Sequence, residues 1–222
     1  MPEIILTMEK TNGQKSLGVA IFTFYGIIVL AAIVLMVVNL LGLSTPVVNR
    51  VIFAVQDAAC FCAVSYIALS KSVRAAATAK IGATVLAVLF ATVAVNTVLS
   101  FAEINIFASM GNYAGIVISS IQLIAAAMLF FTVKAWMPVK ITAFLFWIPG
   151  LCASFYFSEL KAASELAQKT DDWSVMHKIL NAVDTCNYIS LTLAVLTVIL
   201  AIVWLVRKPK ASHAQNNPID II

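Results

Sequence analysis

Charge is the scarcest feature of this sequence: Asp, Glu, Lys and Arg make up 11% of its 222 residues, against about 25% in ordinary soluble domains. So little charge cannot cover the surface of a water-soluble domain, and that class is excluded. Histidine is nearly missing too. His177 and His213 both fall outside the apolar segments, which removes haem ligation by paired helix histidines and any His-Glu-x-x-His protease pattern. The four cysteines offer little more. Cys60 and Cys62, two apart on a helix, point to different sides and form neither a disulfide nor a metal clip. Cys152 and Cys186 fall where they can meet, but buried cysteine ordinarily behaves as a small apolar residue. There is no Walker loop, Gly-x-Ser-x-Gly elbow or dinucleotide fingerprint. A catalytic enzyme is therefore disfavoured, and no catalytic residue, metal ligand or cofactor is expected. The net charge of +4 carries no message about nucleic acid, which is not an expected partner; in a chain this apolar, what matters is where the positive charges lie.

What the sequence has in abundance is apolar length. Hydrophobic residues are 62% of the chain, and a crossing of the bilayer needs about 20 in a row. Six segments qualify, at 17–43, 49–70, 80–101, 113–133, 139–157 and 185–206, predicting an all-α, polytopic six-helix transmembrane domain over 17–206. Residues 1–16 are a polar lead and 207–222 a polar tail. The first run is longer than the apolar core of a cleaved signal peptide, so a retained helix is expected. Ser44, Thr45 and Pro46 mark a tight turn into the second.

The basic residues set an orientation. Ten of the fourteen fall on one side: Lys10 and Lys15, then Lys71, Arg74 and Lys80, then Lys134 and Lys140, then Arg207, Lys208 and Lys210. Only Arg50, Lys161, Lys169 and Lys178 fall on the other. Short basic loops resist translocation, so both termini are expected in the cytoplasm, and a bacterial inner membrane suits such short loops. Residues 158–183 then form the one sizeable outer loop. Lys161, Glu165 and Lys169 stand at i, i+4 steps, as on a helical extension of the fifth segment. Beyond Thr170, Asp171 and Asp172 suit a helix N-terminus, and Trp173, Met176, Leu180 and Val183 form the stripe of a short amphipathic helix, lying on the leaflet or capping the bundle. A gate or a partner-docking helix is the other reading of that stripe.

Polar residues within the segments are the remaining source of chemistry. The second segment carries Gln56 and Asp57, the latter about 10 Å deeper along the helix than Arg50. No Lys or Arg lies inside another segment to pair with Asp57, and Arg50 is expected to snorkel to the headgroups. An ionisable group in hydrocarbon costs at least about 2.5 to 3.5 kcal/mol on insertion scales. Asp57 is accordingly hydrogen-bonded and structural, or it faces a wet cavity and handles a proton or cation. Asp184, Asn187 and Tyr188 share one face of the sixth segment, as Asn96, Ser100 and Glu103 do at the end of the third. All of them enter from the outer side, where Asn112, Tyr113, Tyr156 and Glu159 also lie, whereas the inner half reads as aliphatic apart from Ser, Thr and small residues. The expectation is a polar pocket open to the outside, built from Gln56, Asp57, Asn96, Glu103, Asp184, Asn187 and Tyr188, with ordinary headgroup-layer residues as the plainer account of most of them.

Two features bear on packing. Ala83, Ala87 and Ala91, and Gly115 with Ser119, recur four apart and allow close helix approach. Pro149 and Gly150 interrupt the fifth segment and predict a kink; in some transporters such breaks mark a substrate site. The function expected is the binding or movement of a small solute or ion. The rival is a structural or accessory subunit without a site of its own. Expected partners are the lipid bilayer, a small solute or cation, and a second copy or another membrane protein.

Overall fold

The computed structural model describes residues 2–71 and 76–207, with side chains from Lys15 onward. Arg74, Lys208, Lys210, His213 and the tail over 208–222 lie outside the described residues, as does the side chain of Lys10. Among the described residues the structure is helical without strands: α1 Pro2–Leu40, α2 Pro46–Leu69, α3 Ala77–Leu99, α4 Ala114–Thr132, α5 Met137–Leu145, α6 Trp147–Thr170 and α7 Ser174–Val206. Six of its stretches, one of them running through α5 and α6, are long and apolar enough to cross a membrane. This is an integral membrane protein built as a six-helix bundle.

Local chemistry sets the helix ends. Gly42 takes a left-handed φ of 68° after α1, and Thr45 caps α2 by accepting the Val48 N–H at 3.2 Å, with Pro46 in the first turn, where no donor is needed. α3 tightens into a 3₁₀ turn at Ser100–Ala102 and stops at Glu103, itself left-handed at φ 61°. In apolar surroundings the threonine hydroxyls bond back to their own helices, as Thr92 does to Val88 and Thr197 to Leu193.

The fifth span is interrupted at Phe146, between α5 and α6, as a kink: the backbone there stays helical and the Phe146 N–H still reaches the Thr142 carbonyl at 3.1 Å. Pro149 explains the position: it has no N–H to offer the Leu145 carbonyl, and its ring crowds that carbonyl, so the disruption falls on the preceding turn. The loop expected over 158–183 is mostly helix. α6 runs to Thr170, and the amphipathic stripe is the first part of α7, continuous with the sixth span rather than lying apart. At 33 residues α7 is about 50 Å long, well beyond the ~30 Å hydrocarbon thickness, so it and α6 project together as a helical hairpin. Ala163, Ala167 and Val183 are buried in the hairpin, and Met176 and Leu180 line a groove against Phe157 and Leu160.

Short connections make successive spans antiparallel neighbours, and α1 packs against both α2 and α7, so the spans close into a ring. Small residues bring α3 and α4 close. A Cβ on Gly82 would stand 2.5 Å from the Ala125 carbonyl oxygen, and Ala83 and Ala87 are buried. Gly115 faces Ser154, whose hydroxyl shares a 2.7 Å hydrogen bond with Ser119 between α4 and α6. Outward, Leu30, Val55, Val88, Ile124 and Ile199 are each more than half exposed, the surface a bilayer covers.

The packed core is concentrated at one end, the end where α1 passes Lys15. Leu17, Ile21, Phe24 and Tyr25 meet Cys60, Val64 and Ile67, Leu86 and Phe90, Leu129 and Phe130, and Val139 and Ala143 there. Towards the other end only small residues and one valine are buried, namely Ala31, Ala153, Ala163, Ala167 and Val183.

Candidate functional site

A cavity of about 240 Å³ lies where these two halves meet, and every span contributes to its wall. Ile28 comes from α1, Gln56 from α2 and Phe90 from α3. α4 supplies Ser119 and Gln122, three apart and so on one face, and α7 supplies Asn187 and Ser190 with the same spacing. The fifth span enters at its kink, with Phe146, Trp147 and Gly150 in the wall. Ile28, Gln56, Phe90, Ser119 and Gln122 lie near the middle of their spans, which puts the cavity part-way along the bundle, with Asn187 towards the projecting end of α7.

Aromatic rings close the cavity on the packed side. Trp147 lies 6.0 Å from Phe24 in a stacked pair, 5.3 Å from Phe146 edge-on and 6.2 Å from Phe90. Tyr25 sits below them, fully buried, 5.2 Å from Phe146 edge-on. Trp147 Nε1 is buried with no hydrogen-bond partner among the described residues.

The polar wall is of two kinds. The hydroxyls are already engaged: Ser119 with Ser154, and Ser190 donating to the Phe146 carbonyl at 3.4 Å. The three carboxamides are not. Gln56, Gln122 and Asn187 make no hydrogen bond to any described residue, although each offers two donors and an acceptor. Their amide atoms are accessible and not sealed in, which leaves them open to water or a bound molecule. Asn187 is exposed rather than sealed in, consistent with a cavity that opens away from the aromatic cluster.

The structure thus brings together two of the residues singled out from the sequence, Gln56 and Asn187. Asp57 is half-buried on α2, one turn from the fully buried Cys60, with no hydrogen bond or ion pair to a described residue and outside the cavity wall. Asn96 is spent on the turn after α3, where its Oδ1 accepts the Ile106 N–H at 2.9 Å. Glu103 sits exposed at that turn, off the helical face that Asn96 shares with Ser100, because the helix has already ended. Asp184 is exposed one turn above Asn187, and Tyr188 is 71% exposed on the outside of the bundle. Arg50, expected among headgroups, donates from Nη1 to the exposed Ser100 carbonyl at 3.2 Å. The Ser100 carbonyl also accepts the Glu103 N–H at 3.3 Å, so the guanidinium takes its second lone pair at the end of α3.

Sequence reasoning passes over Ser119 as a site residue, and over Gln122, Ser190 and the aromatic floor. Gln122 carries a signal: it is the lone amide in the apolar stretch of α4, one turn from Ser119. The four cysteines are free thiols, with Cys152 and Cys186 close together between α6 and α7. Among the described residues no three His, Cys, Asp or Glu side chains gather as metal ligands. Comparison with known families, characterised proteins and solved structures finds no match to this chain.

Proposed function

We propose that this protein binds a small solute in this cavity and moves it across the bilayer. One observation carries the reading: all six spans converge on a single cavity part-way along the bundle, with unspent carboxamides from three of them. Transporters commonly hold their substrates near the midplane beside irregular helices, and the kink of the fifth span at Phe146 lies in the cavity wall. The packing asymmetry supports access from the end opposite Lys15. The basic residues, Lys15, Lys71, Lys80, Lys134, Lys140 and Arg207 against Arg50, Lys161, Lys169 and Lys178, make that end the outer one, with both termini in the cytoplasm.

The test is a solute screen on purified protein, read as saturable thermal stabilisation and followed by flux in proteoliposomes. Support takes the form of a solute that stabilises the wild type, crosses the membrane, and loses both effects with Gln56→Leu. An inert cavity, combined with a stoichiometric membrane protein that co-purifies, would instead make this chain an accessory subunit.

A further inference from the structure

The cavity wall also specifies the kind of solute, an inference that rests on the reading of the cavity as a solute site. Charge comes first. None of the wall residues is Lys, Arg, His, Asp or Glu, and the adjacent carboxylate, Asp57, is not part of the wall. A charged molecule held within the bundle needs an opposite charge or a dense set of dipoles to replace its hydration, and the wall has no such charge.

Hydrogen bonding comes next. With the hydroxyl protons of Ser119 and Ser190 directed at Ser154 and at the Phe146 carbonyl, the free donors are those of Gln56, Gln122 and Asn187, while the serine oxygens can still accept. A carboxamide sets a donor beside an acceptor, and its natural complement is another edge with an acceptor beside a donor, the way Asn and Gln read a base edge. The third constraint is the floor. Phe90, Phe146 and Trp147 offer ring surface, which favours an unsaturated or apolar face and disfavours a molecule hydroxylated all round. Size is the last: 240 Å³ is about eight waters at the ~30 Å³ each occupies in the liquid.

We infer that the cavity takes an uncharged cyclic amide or imide of nucleobase size, held by its hydrogen-bonding edge on the three carboxamides with its ring against the aromatic floor. Uracil is the probe. 1,3-Dimethyluracil keeps the ring and its carbonyls but has no N–H, glycerol is neutral without a ring, and lysine and choline are charged.

The experiment measures unfolding temperature of the purified full chain against concentration of each probe. Uracil is expected to give a saturable rise, dimethyluracil and glycerol none, and Gln122→Leu to weaken half-saturation about tenfold or more. Gln122→Asn, which keeps the amide but shortens its reach, serves if the leucine variant does not fold, and is expected to weaken uracil without abolishing it. An equal rise with dimethyluracil overturns the edge, and a rise with glycerol overturns the ring. A rise with lysine or choline that Gln122→Leu removes overturns the solute class and leaves the cavity reading standing. No rise with any probe, together with no solute found in the broader screen, overturns both.

Discussion

The Tyr25 hydroxyl of α1 donates a 2.5 Å hydrogen bond to the Ala143 carbonyl of α5, joining residues 118 apart in the chain at a site where both are fully buried. Ala143 is in the last turn of α5, next to the interruption at Phe146. A side chain from α1 is thus tied to the backbone of α5 next to the helix interruption, and the ring of Tyr25 packs edge-on against Phe146 of the aromatic floor at 5.2 Å.

Tyr25→Phe is expected to lower stability by about 1–3 kcal/mol, because a buried carbonyl loses its partner while the ring is retained. Tyr25→Ala should cost about 3–5 kcal/mol by adding a cavity. Thermal unfolding of the purified variants checks both values, and a phenylalanine variant as stable as wild type would show that the bond contributes nothing.

Two glycines should respond oppositely to alanine. At Gly82 the new methyl meets the Ala125 carbonyl oxygen, main chain that cannot move aside, so Gly82→Ala should lose about 1–3 kcal/mol. Gly26, inside α1, has no heavy atom within 4 Å of the place an added methyl would take, so Gly26→Ala should gain about 0.5–1 kcal/mol from helix propensity. Unfolding temperatures that move the same way in both variants would contradict this packing of α3 on α4.

Asp172 accepts the Ser174 N–H at 2.9 Å, and that bond, more than the nearby Lys178, holds its carboxyl below the ordinary carboxylate range. A lowered folded value means that the ionised form stabilises the start of α7 fully above the ordinary range, and that this help disappears as pH falls through the folded value. Amide exchange at Ser174 should therefore be faster in Asp172→Ala than in wild type at neutral pH. The two should converge in acid; a difference that persists there would assign the effect to something other than the ionised carboxylate.

Asp57→Asn removes a titrating group but keeps shape and hydrogen-bonding capacity. Neither Gln56 nor Asn187 bonds to Asp57, so Asp57→Leu strands no partner and should be tolerated as well as Asp57→Asn in folded yield. If Asp57 handles a proton or cation, both variants flatten the pH dependence of solute flux. Retention of that dependence in both would remove Asp57 from the mechanism.

In a background without the four native cysteines, Asp171→Cys at the hairpin tip is expected to react with an impermeant maleimide from outside intact cells, and Lys15→Cys only after lysis. The reverse pattern would invert the orientation and put the cavity mouth in the cytoplasm.

The six spans, the turn at Thr45 and Pro46 and the kink ahead of Pro149 are all legible in the chain, because each depends on residues within a turn or two of one another. Gln56 and Asn187 are legible too, as polar residues inside apolar segments. Gln122 reads as one amide in an aliphatic helix, and Trp147 as one more apolar residue. Nothing local marks either as facing the axis. Arg50 reads as a headgroup residue for the same reason, since its acceptor at Ser100 is fifty residues away.

Sequence alone determined the membrane class, the number of spans and the asymmetry of charge, because the cost of placing a residue in hydrocarbon is nearly independent of its distant neighbours and sums along a segment. Tertiary structure decided which side chains meet. Adjacent helical residues point about 100° apart, so the rotation of each helix, set by contacts such as Gly82 on Ala125 and Ser119 on Ser154, selects one of every two polar neighbours. That rotation turned Gln56 into the cavity wall and left Asp57 beside it, and turned Asn187 inward while Tyr188 faces out.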